Sequence, residues 1–210
     1  MSEALSELRR DLGAMVRDDE ATRAAHRADA WVMAEGAALE GRTGPLPLAV
    51  LEPGSTDDVS RALRCCRQLG IPIVTRGGGS GVCGAVQAGA GHVVLSTRGL
   101  TGLVDLDAQD GIARFRAGTL GSEAEERVQR DGYTIGHWPQ SIALSTVGGW
   151  VATRAAGQFS TAYGSIEDVV LALEVVLPDG SVLRTRETPR ASAGPDLRQL
   201  FLGSEGTLGI

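Results

Sequence analysis

Arg76-Gly77-Gly78-Gly79-Ser80-Gly81-Val82-Cys83-Gly84 follows directly on the apolar run Ile71-Pro72-Ile73-Val74-Thr75. Glycine has no Cβ, so it tolerates positive φ and lets backbone N–H groups come close to a ligand. Several glycines after a strand suit a cradle for anionic oxygens such as phosphate, with Arg76 as the charge partner. A plain surface turn would use the same residues. The pattern Gly79-x-Gly81-x-x-Gly84, with Asp105 and Asp107 further on, raises a Rossmann dinucleotide site, but the context is wrong. In a Rossmann unit the last glycine opens a helix. Here Ala85-Val86-Gln87-Ala88-Gly89-Ala90-Gly91 is too broken by glycine to be helical, and the clear helix precedes the strand. A Walker A loop would need Gly-Lys-Ser/Thr, which is missing.

On the N-terminal side of the loop lies the helix itself. Leu48-Ala49-Val50-Leu51 reads as a strand, and Pro53-Gly54 breaks it. Ser55 with Asp58 three residues on resembles a capping box. Val59, Ala62, Leu63 and Cys66 then fall at i, i+3, i+4 and i+7, one buried face, and Gly70 stops the helix. Before this unit, Leu5, Leu8, Leu12 and Met15 predict an amphipathic helix to about Arg17. A second helix is expected from Thr22 to Glu35, carrying His26, Trp31 and Met33, with a linker over 41–47.

Beyond the loop, His92 to Ser96 is a further strand. Leu103 to Asp107 and Ile112 to Arg116 alternate in polarity across Asp110-Gly111, the pattern of a hairpin. A helix over 120–130 and an irregular stretch over 133–164, helical in its middle, come next. Val169 to Leu177 reads as one long strand, turned by Pro178-Asp179-Gly180 onto Val182 to Arg186. Asp196 to Leu202 is a short helix.

Composition narrows the function classes. With 210 residues, 42% hydrophobic and 22% charged, the chain can bury a core without staples. A net charge of −6 without a polybasic stretch argues against a nucleic-acid partner. Cys65, Cys66 and Cys83 lack zinc spacing, so no metal site is expected and a reducing cytosol fits. No signal-like start and no apolar stretch of about 20 residues is present, so a cytoplasmic protein without a membrane span is expected.

Two more stretches are candidate sites. Ser145-Thr146-Val147-Gly148-Gly149-Trp150 puts a Ser/Thr pair ahead of a helix with glycines in its first turn. That arrangement offers free N–H groups to an anion or a flat ring, or else serves capping and close packing. His137, in Gly136-His137-Trp138-Pro139-Gln140-Ser141, is either polar lining for it or a turn histidine. Gly203-Ser204-Glu205-Gly206-Thr207-Leu208-Gly209 sets one carboxylate among small residues, fit for a sugar hydroxyl, a ring nitrogen or a turn.

The order of these three stretches resembles the FAD-binding domain of the vanillyl-alcohol oxidase and p-cresol methylhydroxylase superfamily. Within it, Ser145 to Gly157, Tyr163 to Asp168 and Pro189 to Asp196 look most like alkyldihydroxyacetonephosphate synthase. The resemblance covers roughly Leu48 to Ile210. It implies an α+β, two-subdomain PCMH-type fold with mixed sheets flanked by helices, preceded by a helical segment over 1–45. The FAD-binding domain would span 46–210, its subdomains dividing near residue 100. Arg76, Gly77, Gly78, Gly79, Ser80 and Gly81, with Pro139, Ser141, Ser145, Thr146, Gly148 and Gly149, would hold pyrophosphate and flavin. Gly157, Glu205, Gly206 and Thr207 would line the rest.

Where some members carry a flavin-linking histidine this chain has Gly79, which implies non-covalent FAD. The family's C-terminal cap, with most substrate and catalytic residues, has no counterpart here, so a fragment is expected and no catalytic residue is nominated. The expected activity is hydride transfer from a small substrate such as a 2-hydroxy acid. The alternatives are a non-redox exchange of acyl for alkyl on dihydroxyacetone phosphate and a non-catalytic FAD-binding module. A full-length parent would be expected to form a homodimer.

Overall fold

The computed structural model describes residues 3–190 and 192–210. Met1 and Ser2 of the N-terminal helical stretch, and Ala191 of the Pro189 to Asp196 run, lie outside the described residues. The chain opens with α1 (Glu3–Leu12), which buries Leu5, Leu8 and Leu12. The helix does not continue to Arg17. Gly13 adopts φ +57°, a 3-10 turn closes at Met15, and β1 (Val16–Arg17) leaves as a strand. Next comes α2 (Glu20–His26), capped by Asp19, which accepts from the Thr22 N–H at 2.9 Å.

The single helix expected over 22–35 is broken. Residues 27–31 form a non-helical strap, and α3 (Val32–Leu39) begins after Trp31. The cause is tertiary: Ala28 bridges to Gln87, the Ala30 N–H donates to the Gly79 carbonyl at 3.1 Å, and the Arg27 carbonyl accepts from Ala88. Helix propensity is worth only tenths of a kcal/mol per residue and yields to such bonds.

The first layer is a four-stranded sheet of order β1-β2-β4-β3, built from β1, β2 (Ala49–Leu51), β3 (Ile73–Arg76) and β4 (Val93–Ser96), with α4 (Thr56–Gln68) crossing from β2 to β3. β1 runs antiparallel to β2, while β4 is parallel to both neighbours, with Val94 opposite Val50 and Val74. Ala49, Leu51, Val93 and Leu95 pack on Leu5, Leu8 and Leu12 of α1 and on Val59, Ala62, Leu63 and Cys66 of α4. Val50, Val94, Val74 and Ala88 pack on the opposite face. Strands buried on both faces read as continuous apolar runs, which is why this layer is plain in the sequence.

The second layer starts with the hairpin of β5 (Leu103–Asp107) and β6 (Ile112–Phe115). It continues through α5 (Gly121–Gln129), α6 (Val147–Thr153), α7 (Ser160–Tyr163) and α8 (Ile166–Val169). The hairpin of β7 (Glu174–Val176) and β8 (Val182–Arg184) and the short α9 (Arg198–Phe201) complete it. Trp150, Ile166 and Leu202 form its core. The long strand expected from Val169 is shorter, because Ser165 and Asp168 cap α8 and the carbonyls of Val170 and Leu171 accept from Arg198 Nη1 at 2.9 and 2.8 Å. The β7–β8 hairpin returns to α4, where Thr56 Oγ1 donates to Glu174 at 2.6 Å and Ser60 Oγ donates to the Gly180 carbonyl. Val176 and Ile210 exchange backbone hydrogen bonds of 2.7 and 2.9 Å. The fold is α+β with mixed sheets flanked by helices.

Candidate functional site

The glycine loop leaves β3 at Arg76 and runs against the segment before α6. A Cβ on Gly77 would lie 2.5 Å from Thr146 Oγ1, and one on Gly78 would strike the Leu144 carbonyl oxygen. Gly79 adopts φ +72°, and a Cβ there would fall on the Arg76 guanidinium. The third stretch reaches the same place, since Gly206 sits against Thr75 of β3 and the Glu205 N–H donates to the Ala152 carbonyl at 2.9 Å. Gly157 packs on Trp138 and Pro139, and the Gln158 N–H donates to the Trp138 carbonyl at 2.8 Å. Three stretches spread over more than a hundred residues of chain therefore meet at one place.

The two glycine-bearing segments differ in what they leave free. Among the described residues, no backbone N–H from Gly77 through Ala85 donates to a protein acceptor. Residues 77–80 are half-buried and 81–83 exposed. The first turn of α6 is the opposite case. Val147 donates to the Thr119 carbonyl, Gly148 to the Ala117 carbonyl and Gly149 to Thr146 Oγ1, so its N–H groups are engaged within the protein. Ser145 Oγ donates to the Ser141 carbonyl and accepts from Trp150 Nε1, both at 2.8 Å. The Ser/Thr pair thus does the work of capping and packing, and the open amides belong to the glycine loop.

Charge is concentrated at the same loop. Among the described residues the side chain of Arg76 makes one hydrogen bond, a long contact of 3.5 Å from Nε to the Ala28 carbonyl. Burial lowers the Arg76 pKa, the Asp29 carboxylate offsets part of that effect, and the neighbouring Arg98 adds to it. Among the described residues Arg98 Nη1 is buried without a partner, as is Ser96 Oγ at the end of β4. Ser96 stands opposite Arg76 in the sheet register. A guanidinium at the loop, with a second one near it and a row of free amides, is chemically matched to a diphosphate. The residues present therefore fit the pyrophosphate of FAD.

Sequence reading missed Asp29, Ser96 and Arg98. Asp29 lay inside an expected helix, and the other two stand at the end of an apolar strand and just beyond it, with no motif around them. Of the remaining expected residues, Glu205 is exposed with φ +49°, and Thr207 Oγ1 donates to the Ser204 carbonyl at 2.6 Å. His137 is buried edge-on against Trp150, with ring centroids 4.7 Å apart. Among the described residues no group of His, Cys, Asp and Glu is placed to hold a metal, and no helix is long and apolar enough to cross a membrane.

Comparisons with known proteins also point to FAD. The family described as FAD binding domain matches residues 47–186. The uncharacterized FAD-linked oxidoreductase YgcU of Escherichia coli (strain K12) is 42% identical over 167 residues, covering 79% of this chain and 34% of that protein. Glycolate oxidase subunit GlcD of Bacillus subtilis (strain 168) is 36% identical over 166 residues, covering 79% of this chain and 35% of the other. A solved structure of alkyldihydroxyacetonephosphate synthase matches with a TM-score of 0.90 at 30% identity, covering 99% of this chain and 38% of its own. The chain spans about a third of the length of the curated relatives it matches.

Proposed function

The chain belongs to the FAD binding domain family, and from that premise we propose that it is the cofactor-holding part of an FAD-linked oxidoreductase that takes a hydride from a small substrate such as a 2-hydroxy acid. The observation that carries this reading is the row of free amides from Gly77 to Ala85 at Arg76, with Arg98 near that guanidinium. The amides and both guanidinium groups would bind the pyrophosphate, while the packing of Gly77 and Gly78 on residues 144–146 fixes the loop's distance from α6. Glu205, Gly206 and Thr207 would close the far side. Bound FAD supplies the hydride acceptor, and the chain supplies binding, orientation and charge. With glycine at 79 the loop offers no histidine for a covalent link there, so the cofactor would be held by contacts alone.

The test has two stages. The chain is titrated with FAD, and quenching of flavin fluorescence reports binding; Gly79→Leu should abolish retention, and retention at the wild-type level would mean that the cradle is misplaced. The flavin-loaded whole protein is then mixed anaerobically with a panel of 2-hydroxy acids. Bleaching of the yellow absorbance supports the dehydrogenase. The structural match to alkyldihydroxyacetonephosphate synthase, which covers 38% of that chain, favours a second reading, a non-redox exchange of acyl for alkyl on dihydroxyacetone phosphate. Flavin that stays oxidised with every hydroxy acid while that exchange proceeds would replace the first reading with the second.

A further inference from the structure

The strap at residues 27–31 lies outside the span that matches the FAD binding domain family, yet it touches the glycine loop at almost every turn. The Ala30 N–H holds the Gly79 carbonyl at 3.1 Å, and the Arg27 carbonyl holds the Ala88 N–H at the same distance. Ala28 forms an antiparallel bridge with Gln87. The ring of Trp31 lies 3.0 Å from where a Cβ of Gly84 would be. At the centre is Asp29, a carboxylate only 7% exposed. Its Oδ2 accepts a long hydrogen bond of 3.4 Å from the Val86 N–H, and its Oδ1 accepts one of 3.4 Å from Gln87 Nε2. The same Oδ2 stands 3.3 Å from the Cβ position of Gly81. Asp29 is also the acidic group whose field favours the charged form of Arg76, against the repulsion from Arg98.

A buried carboxylate is costly unless it is compensated. Among the described residues its hydrogen bonds come from Val86 and Gln87, directly after the free amides of the loop, and Arg76 supplies opposite charge. We infer that Asp29 is a positioning residue for the flavin cradle: it fixes the course of residues 77–87 while leaving the loop's own amides free. The inference rests on the FAD reading for its consequence in affinity, and on the loop geometry alone for its consequence in structure.

The experiment compares the wild-type chain with Asp29→Asn and Asp29→Ala by two readouts. The first is hydrogen–deuterium exchange without ligand. Exchange should accelerate at the bonded amides of Ala30, Val86 and Ala88 and stay unchanged in α4 and β4. Acceleration spread evenly over the chain, or none in the loop, overturns the inference. The second is FAD titration well below the unfolding midpoint, where the dissociation constant should rise about tenfold in Asp29→Ala. Asp29→Asn retains the shape and one acceptor without the charge, so it should fall between wild type and alanine. Unchanged FAD affinity despite a loosened loop also overturns the inference. If the wild-type chain binds no FAD, the flavin reading falls by that result, and the exchange data still decide whether Asp29 holds the loop.

Discussion

His137 shows how one residue can be driven by its surroundings. It is 1% exposed, and neither ring nitrogen has a hydrogen-bond partner among the described residues. Burial depresses its pKa below the ordinary 6.5, with Glu167 opposing in part. Trp150 covers it from α6 and Glu167 faces it from α8. The sign follows from linkage. Above pH 6.5 the ring is neutral in both folded and unfolded chains and contributes no pH dependence. Below it the unfolded chain takes up a proton that the folded chain resists, so stability falls as the pH falls until the folded form titrates. One such proton gives a slope of at most about 1.4 kcal/mol per pH unit. Urea unfolding of wild type and His137→Asn at pH 8 and pH 5 should show the wild type losing more stability on acidification than the variant. Equal losses would mean that His137 is protonated inside the fold.

At the scale of elements, α4 is the piece whose sequence and structure agree most closely. Ser55 Oγ accepts from the Asp58 N–H at 3.1 Å, while Asp58 Oδ2 accepts from the Gly54 N–H at 3.2 Å, one residue earlier than in a standard capping box. Ser55→Ala should cost about 1 kcal/mol, read from the shift in denaturation midpoint. The buried face of α4 was legible because a 3.6-residue period needs no partner to be recognised. Cys66 lies in that face with its thiol pushed up to about 12 by burial, so it packs as an apolar group. Elements whose shape depends on distant residues were not legible in this way. The strap at 27–31 carries a helical spacing that loses to bonds with residues 79 and 87–88, and the apolar run from Val169 is bent by Arg198. In both, the deciding partner lies dozens of residues away, where local periodicity carries no information.

At the scale of the whole molecule, the three glycine-bearing stretches could be ordered from the sequence, but not the use each makes of its amides. The α6 stretch and the glycine loop look alike as strings. Only the fold reveals that Ala117 and Thr119 reach the first turn of α6, while among the described residues no acceptor takes the amides of residues 77–85. The third stretch is tied to the first through Thr75 and Gly206, and this contact gives a test of the assembled site. Gly206 has φ +81°, and a Cβ there would lie 2.8 Å from Thr75 Oγ1. Gly206→Val therefore meets two penalties, a left-handed backbone that β-branched residues avoid and a clash with β3, together about 2 kcal/mol. Because Glu205 and Thr207 flank it, the same change should weaken FAD binding if the cradle and the third stretch form one site. Thr75→Ala removes the struck hydroxyl but not the backbone strain. Made together with Gly206→Val, it should restore part of the lost stability and part of the lost affinity, a coupling that only touching residues show. Strictly additive effects on both quantities would mean that the 203–209 stretch and the glycine loop act independently, and that the site is not continuous across β3.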